Sequence, residues 1–345
     1  MTMNTVKYVK EAYDAVIIGA GPCGCVAAGT LAENGLKVLV LEKCVLPRYK
    51  SCSGVLIEKS MRFIEQKFSC GVPSSVTCTP VDNRGMVFTD DLGREYRFEG
   101  SGLNIWRDKF DYWLLSLAHD KGAEIKDNCN VTSICDRGET VVVQVGGEEI
   151  QAKYAIDCSG AGGIGMKDIG KVTTFQTYNN GVIGLDAHYF YAYLQPELSG
   201  YDAWFNVKDE TLVLGVASEN AHDIKNYYSK FIAYMRENHG LSISEQLRED
   251  KWIIRNIKPP FNIDYGDGGV LYAGERAGFL NPMGEGISCA MESGYCAAMA
   301  ILSNYNDRRS VIDDYKSRVA ETKDYMLRQW RLVGRMSNKF AFMRR

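Results

Sequence analysis

The sequence has no apolar run long enough to cross a membrane, and the polar stretch before Tyr13 holds no segment of signal-peptide form. A soluble, cytoplasmic protein is the expectation. Nor is there an excess of positive charge. The 40 Lys and Arg stand against 43 Asp and Glu, a net charge of -3, which argues against nucleic acid as a partner because phosphate backbones select clustered cations. Histidine is scarce: His119, His188, His222 and His239 are scattered, none at a ligand spacing from a cysteine or carboxylate, so no metal is expected. The 11 cysteines are odd in number and include no CxxC pair, Cys23 and Cys25 making only a CxC, which fits a reducing compartment rather than a disulfide frame. There is no GxSxG elbow and no credible Ser/His/Asp set, so hydrolysis lacks its residues. Internal repeats, low-complexity tracts and long linkers are also missing.

What is present is a 345-residue chain, 46% hydrophobic, enough for one large domain and a smaller one. Tyr13 to Gly19 reads as a buried strand, Pro22 to Glu33 as a helix and Lys37 to Glu42 as a second strand, which together form a βαβ unit. A helical pattern covers Ile57 to Phe68. Gly85 to Asp90 and Arg94 to Glu99 alternate about an Asp91-Leu92-Gly93 turn as a hairpin, a strand at Leu103 to Trp106 enters a helix from Asp108 to Lys121, and short strands fill Ala123 to Asp157. From Lys171 to Lys258 aromatic strands and a helix near Ala221 to Asn238 suggest a separate antiparallel sheet with helical cover. Gly269 to Ala273 then reads as a buried strand, Gly286 to Leu302 as a small-residue helix, and Val311 onward as a long charged helix.

Gly19-Ala20-Gly21-Pro22-Cys23-Gly24 is a GxGxxG placed between strand and helix. Gly19 permits the tight turn, Gly21 lets backbone approach a pyrophosphate, Gly24 allows helix to pack on strand, and the helix N-terminus offers amides to phosphate. Glu42, at the end of the second strand, is placed for ribose hydroxyls, with Lys43 beside it. The motif by itself does not separate FAD from NAD. A later segment does: Gly274-Glu275 follows the strand GVLYA, and Asn281-Pro282-Met283-Gly284-Glu285-Gly286 opens a helix at Ile287. An acid at a strand end suits a ribityl hydroxyl, and helix amides at a flavin's pyrimidine edge would stabilise the charge that reduction places there. Asp157 and Gly160 in DCSG lie at the expected domain crossover, where they orient ribose or merely form a turn.

These segments resemble the geranylgeranyl reductase family, FAD-dependent oxidoreductases with the para-hydroxybenzoate hydroxylase type of fold. The matching pieces are GAGPCGCVAA with Glu42, Pro47-Arg48 with Lys50-Ser51-Cys52-Ser53-Gly54, Arg107-Asp108-Lys109-Phe110-Asp111, Asp157 to Gly160, and GERAGFLNPMGEGISCAMESG. The resemblance implies an α/β fold, a Rossmann-like FAD-binding domain with a parallel sheet, interrupted by an antiparallel-sheet substrate domain. Residues 1–80, 101–165 and 266–345 would form the first and 81–100 and 166–265 the second. It implies tight FAD, with Arg48, Ser53, Gly54 and Arg107 among its contacts, and Cys52 and the Gly284-Glu285-Gly286 turn beside the reacting centre. NAD(P)H or a redox protein would supply electrons. Two positions depart from the family pattern: Glu275 replaces an aspartate, and Tyr201-Asp202-Ala203-Trp204-Phe205-Asn206-Val207 lacks the family's Phe-Pro.

The reaction expected from the resemblance is hydride delivery to a carbon-carbon double bond of an apolar, isoprenoid-type substrate. A flavin-dependent monooxygenase or halogenase, and an electron-transfer flavoprotein dehydrogenase, are the alternatives. Tyr191, Tyr193 and Trp204 are the candidate substrate contacts, with plain core packing as the competing reading. On the last helix, Met326, Trp330, Val333, Met336, Phe340 and Met343 make an apolar stripe, with Arg328, Arg331, Arg335 and Lys339 on other faces. That stripe suits either the protein's own surface or peripheral contact with a lipid membrane.

Overall fold

The computed structural model describes residues 12–165 and 170–344, so the polar leader before residue 12 and residues 166–169 of the expected substrate domain lie outside the described residues. β1 (Tyr13–Ile18) is apolar on both faces and buried, as a central parallel strand must be. It turns at Gly19 into α1 (Pro22–Glu33), where proline occupies the first helical position with its φ already set. β2 (Val38–Leu41) completes the unit. β3 (Val55–Ile57) leads into α2 (Glu58–Phe68), which stops where Ser69 turns left-handed. β4 (Thr77–Thr89) and β5 (Glu95–Ile105) form a longer hairpin than the alternation suggested, its turn held by Asp90 accepting from the Leu92 and Arg94 amides. After α3 (Arg107–Asp120) come β6 (Glu124–Lys126), β7 (Val131–Asp136), β8 (Val141–Val145) and β9 (Glu148–Asp157).

The chain then builds β10 (Lys171–Val182), β11 (Tyr189–Tyr193), β12 (Ala203–Lys208), β13 (Thr211–Ser218), α4 (Ile224–His239) and β14 (Ser242–Arg255), and returns through β15 (Gly266–Asp267) and β16 (Val270–Tyr272) to α5 (Ile287–Ser303), α6 (Arg308–Arg318) and α7 (Ala320–Met336). The expected single helix from Val311 onward is two helices broken at the buried Val319. None of the described helices is long and apolar enough to cross a membrane.

The first sheet runs β15-β16-β9-β1-β2-β6, with the β7-β8 hairpin off β9. β1 is parallel to both β2 and β9, so Ile17 lies level with Val40 and Ile156. The second runs β14-β10-β13-β12-β11-β4-β5-β3, mostly antiparallel. Its strands take in residues 55–57, 77–80 and 101–105, so this sheet reaches further into the early chain than the 81–100 hairpin alone. The protein is thus an α/β fold with a first sheet built on parallel strands and a second, largely antiparallel sheet.

Each face of the second sheet meets different cover. Tyr189, Tyr191, Tyr193, Phe205 and Leu214 pack with Phe231 and Met235 of α4. On the other face, Phe88, Phe190, Leu194 and Trp204 meet Trp330, Val333 and Phe340 of the C-terminal segment, with Met283 beside them. The apolar stripe read on the last helix is therefore spent inside the protein, Met326 in the first domain's core and Trp330, Val333 and Phe340 on this sheet. Met326, Trp330 and Val333 are at most 1% exposed, so these side chains do not face lipid.

In the first domain α1 packs tightly on α5. A Cβ on Gly294 of α5 would fall 2.4 Å from the Cys23 carbonyl oxygen, backbone that cannot yield cheaply. Gly294→Ala is expected to cost about 1–3 kcal/mol by overpacking, read as a lower denaturant midpoint. An unchanged midpoint would show the two helices to be loosely docked.

Candidate functional site

The GxGxxG turn adopts the conformation its glycines permit. Gly19 has φ +101°, and a Cβ on Gly24 would sit 1.9 Å from the Gly19 carbonyl oxygen. Gly21 is the N-cap of α1 and contributes no side-chain cap, and no acid lies in the first turn. The nearest atom to a Cβ on Gly21 would be Arg48 Nη2, 3.5 Å away. Cys23 and Cys158, both buried, bring their sulfurs to 3.0 Å and join the helix start to the end of β9.

Beside this turn four charged side chains interlock. Glu42 accepts from the Ala20 amide at 2.9 Å and the Cys44 amide at 3.1 Å, and its carboxylate lies 3.3 Å from Arg48 Nε. Arg48 donates to Asp111 at 3.1 Å, and Arg107 grips the same carboxylate in a bidentate pair at 2.7 and 2.8 Å. Burial alone would lower the Arg107 pKa, but Asp111 outweighs it and the net shift is upward. The i,i+4 spacing of Arg107 and Asp111 on α3 could have been read from the sequence as a pair. That Arg48 joins it could not.

The residues of KSCSG lie next to this network. The Gly54 amide donates to Cys52 Sγ at 3.3 Å, Cys52 also acts on Arg107, and Gly54 has φ +78°. The Ser53 carbonyl accepts from Asn206 Nδ2 at 3.0 Å, which binds this loop to β12. Lys50 sits 4.3 Å over the Trp252 ring, its pKa lowered to about 8 by burial, with Glu275 pulling it back up. Tyr49 bonds to Asp250 and lies 3.0 Å from the Tyr178 hydroxyl, so β10 and β14 also brace the loop.

Around the late glycine segment, the Glu275 carboxylate accepts from the Arg255 amide of β14 at 2.9 Å and its other oxygen points toward Gly160. Asp157 is fully buried and holds Arg276 at 2.9 Å together with the Ser159 amide and hydroxyl, so it serves as a brace between β9 and the segment after β16. Gly160, Gly274 and Gly284 all have positive φ. Glu285 turns back on its own helix, accepting from Ser288 N at 3.2 Å, Ser288 Oγ at 2.8 Å and Asn281 Nδ2. These bonds hold the Glu285 carboxylate against the first turn of α5, beside the Gly284–Gly286 turn. Pro282 and Ile287 are buried against the same turn.

The structure does not bring all the candidate substrate contacts together. Tyr191 and Tyr193 point into the α4 core, with Tyr193 5.3 Å from the Phe231 ring. Trp204 lies on the opposite face, across Gly215 of β13, whose missing side chain leaves room for the indole. Strand alternation alone separates them. Lys43 is exposed and stands near Gly162.

These residues fit a flavin dinucleotide. Glycines clear a path to the start of α1, two arginines stand beside it, an acid follows β2, and among the described residues Arg255 Nε, Asn256 Oδ1 and Asn281 Oδ1 are buried without a hydrogen-bond partner near the second glycine segment. Two outcomes follow from the charges. Asp111→Ala, which leaves Arg107 buried and unpaired, should destabilise the fold by about 3–5 kcal/mol in chemical denaturation. The Lys50 ammonium is disfavoured in the folded state, so the unfolded chain holds the extra proton above pH 8; stability of ligand-free protein should rise from about pH 8 toward the free-lysine range. Lys50→Met should flatten that rise, as measured by melting temperature against pH.

A family model described as the FAD binding domain matches residues 12–329. Digeranylgeranylglycerophospholipid reductase 2 of Methanopyrus kandleri is 26% identical, over 95% of this chain and 88% of its own length. A geranylgeranyl bacteriochlorophyll reductase-like protein of Thermoplasma acidophilum superposes with a TM-score of 0.76 at 20% identity, covering 93% of this chain and 86% of that one. A flavin-dependent brominase shares the fold at a TM-score of 0.70 and 19% identity, over 94% and 89% of the two chains. With the cradle and the match in the same residues, this chain belongs to the FAD-binding domain family and is an FAD-dependent oxidoreductase that resembles the geranylgeranyl reductases.

Proposed function

We propose that this protein saturates a carbon-carbon double bond of an apolar, isoprenoid-type substrate. The observation that carries the reading is the adjacency of two surfaces. The dinucleotide cradle ends at the Pro282 to Gly286 turn, and Met283 of that turn belongs to the apolar face built from Phe88, Phe190 and Trp204. The C-terminal segment covers most of this face through Trp330, Val333 and Phe340, so a hydrocarbon chain would enter at its margin beside Met283.

In this reading the α1 amides and Gly19, Gly21 and Gly24 hold the cofactor's pyrophosphate, with Arg48 and Arg107 beside it. Glu42 takes a ribose hydroxyl, and Glu275, with Asp157 bracing Arg276 behind it, takes the ribityl chain. Bound FAD would supply two-electron hydride chemistry, drawing its electrons from NAD(P)H or a redox protein. The Gly284–Gly286 turn and α5 present backbone amides, and the thiol of Cys52, beside Arg107 and the Gly54 amide, would donate the proton that completes saturation. Trp204 and its neighbours exclude water and orient the chain.

The test is anaerobic incubation of FAD-loaded, chemically reduced protein with prenyl lipids of graded length, followed by mass spectrometry. Gain of two mass units per turnover is expected. Cys52→Ala should slow this step by roughly 10²-fold with FAD content unchanged, the scale of a lost positioned acid. Product that carries an oxygen atom or a halogen would overturn the reading in favour of the monooxygenase or halogenase alternative. Reoxidation solely by a redox protein, with no organic product, would favour the dehydrogenase alternative.

A further inference from the structure

β12 sends Ala203, Phe205 and Val207 into the α4 core and turns Trp204, Asn206 and Lys208 to the opposite face. Lys208 lies at the end of that row and is 1% exposed. Its ammonium rests 3.9 Å over the Trp106 ring. A Cβ on Gly54 would come within 2.5 Å of Nζ, so the loop that carries Cys52 is shaped around this cation. The neighbouring Asn206 has its Oδ1 buried without a partner.

The other cations of the site have acids. Arg107 and Arg48 share Asp111, Arg48 also has Glu42, and Lys50 feels Glu275. The groups that face Lys208 are the thiols of Cys52 and Cys78, the guanidinium of Arg107 and, most weakly, Asp108 at the start of α3; among the described residues no carboxylate is within ion-pair distance. An isolated buried ammonium is costly, and a well-packed apolar residue would serve stability better. Burial drives its pKa down, and an arriving anion restores it. A buried ammonium whose neighbours are an aromatic ring and thiols rather than a carboxylate suits an anionic ligand.

We propose that Lys208 receives an anionic oxygen group, of phosphate or carboxylate type, on the substrate that enters beside Cys52, and so determines which substrates the site takes. The inference rests on the reading of this sheet face as the substrate side. The cofactor's pyrophosphate offers the same chemistry, and the experiment separates the two sources.

With FAD-loaded protein, inorganic diphosphate should raise the melting temperature of the wild type and of Lys208→Arg, and should leave Lys208→Met and Lys208→Gln unmoved. FAD content should be equal in all four, and ligand-free Lys208→Met should melt at or above wild type. Binding of a prenyl diphosphate should weaken at least tenfold in Lys208→Met, and binding of the matching prenyl alcohol should not change. A diphosphate shift absent from wild type or surviving in Lys208→Met overturns the proposal. So does loss of FAD from the variant, equal weakening for the alcohol, or a marked drop in the variant's ligand-free melting temperature. If double-bond saturation fails while the Lys208-dependent shift stands, the reaction is misread and the anion subsite is kept.

Discussion

The arrangement of this protein depends on one buried network, in which the carboxylate of Asp111 holds both Arg107 and Arg48 and Glu42 holds the other side of Arg48. Its members come from α3, the loop after β2 and the end of β2. The glycine turn, the loop toward Cys52 and the helix behind them are therefore tied to one another by charge-assisted hydrogen bonds rather than by packing alone. Such a network is worth little as a source of net stability, since each ion gives up its hydration. It is strongly directional, and it sets two guanidinium groups beside uncapped helix amides.

A second constraint is the two-faced sheet. One side chain in two goes to α4 and the other to the cofactor domain and the C-terminal segment, so one strand can carry both core and site. On β12 this places Phe205 in a hydrophobic cluster and Asn206 against the Ser53 carbonyl, one residue apart. The C-terminal segment completes the site-side cover with Trp330 and Phe340, which ties the end of the chain to the face proposed to receive substrate.

Much of the candidate site was legible because the chemistry is local. Gly19, Gly21, Gly24 and Glu42 follow from a strand-turn-helix whose geometry leaves few residue choices, and the limits of α1 match the reading from Pro22 to Glu33. The α/β class and the interrupted first domain were legible for the same reason. Tyr191 and Tyr193 were not separable from Trp204, because an aromatic strand looks alike on both faces until its neighbours are known. Nor does a sequence show which way a carboxylate turns, and Glu285 here accepts from the Ser288 amide and hydroxyl at the start of α5.

By itself the sequence determined the dinucleotide turn and the strand and helix periods, since each is a matter of residues a few positions apart. Only the tertiary structure decided that Arg48 reaches Asp111, 63 residues away, that the last helix spends its apolar stripe inside the protein, and that Lys208 in a polar-looking strand end is sealed from water. Those outcomes depend on which surfaces meet. Removal from water governs both the charge of a lysine and the placement of an apolar side chain, and it is a property of the assembled fold rather than of any segment.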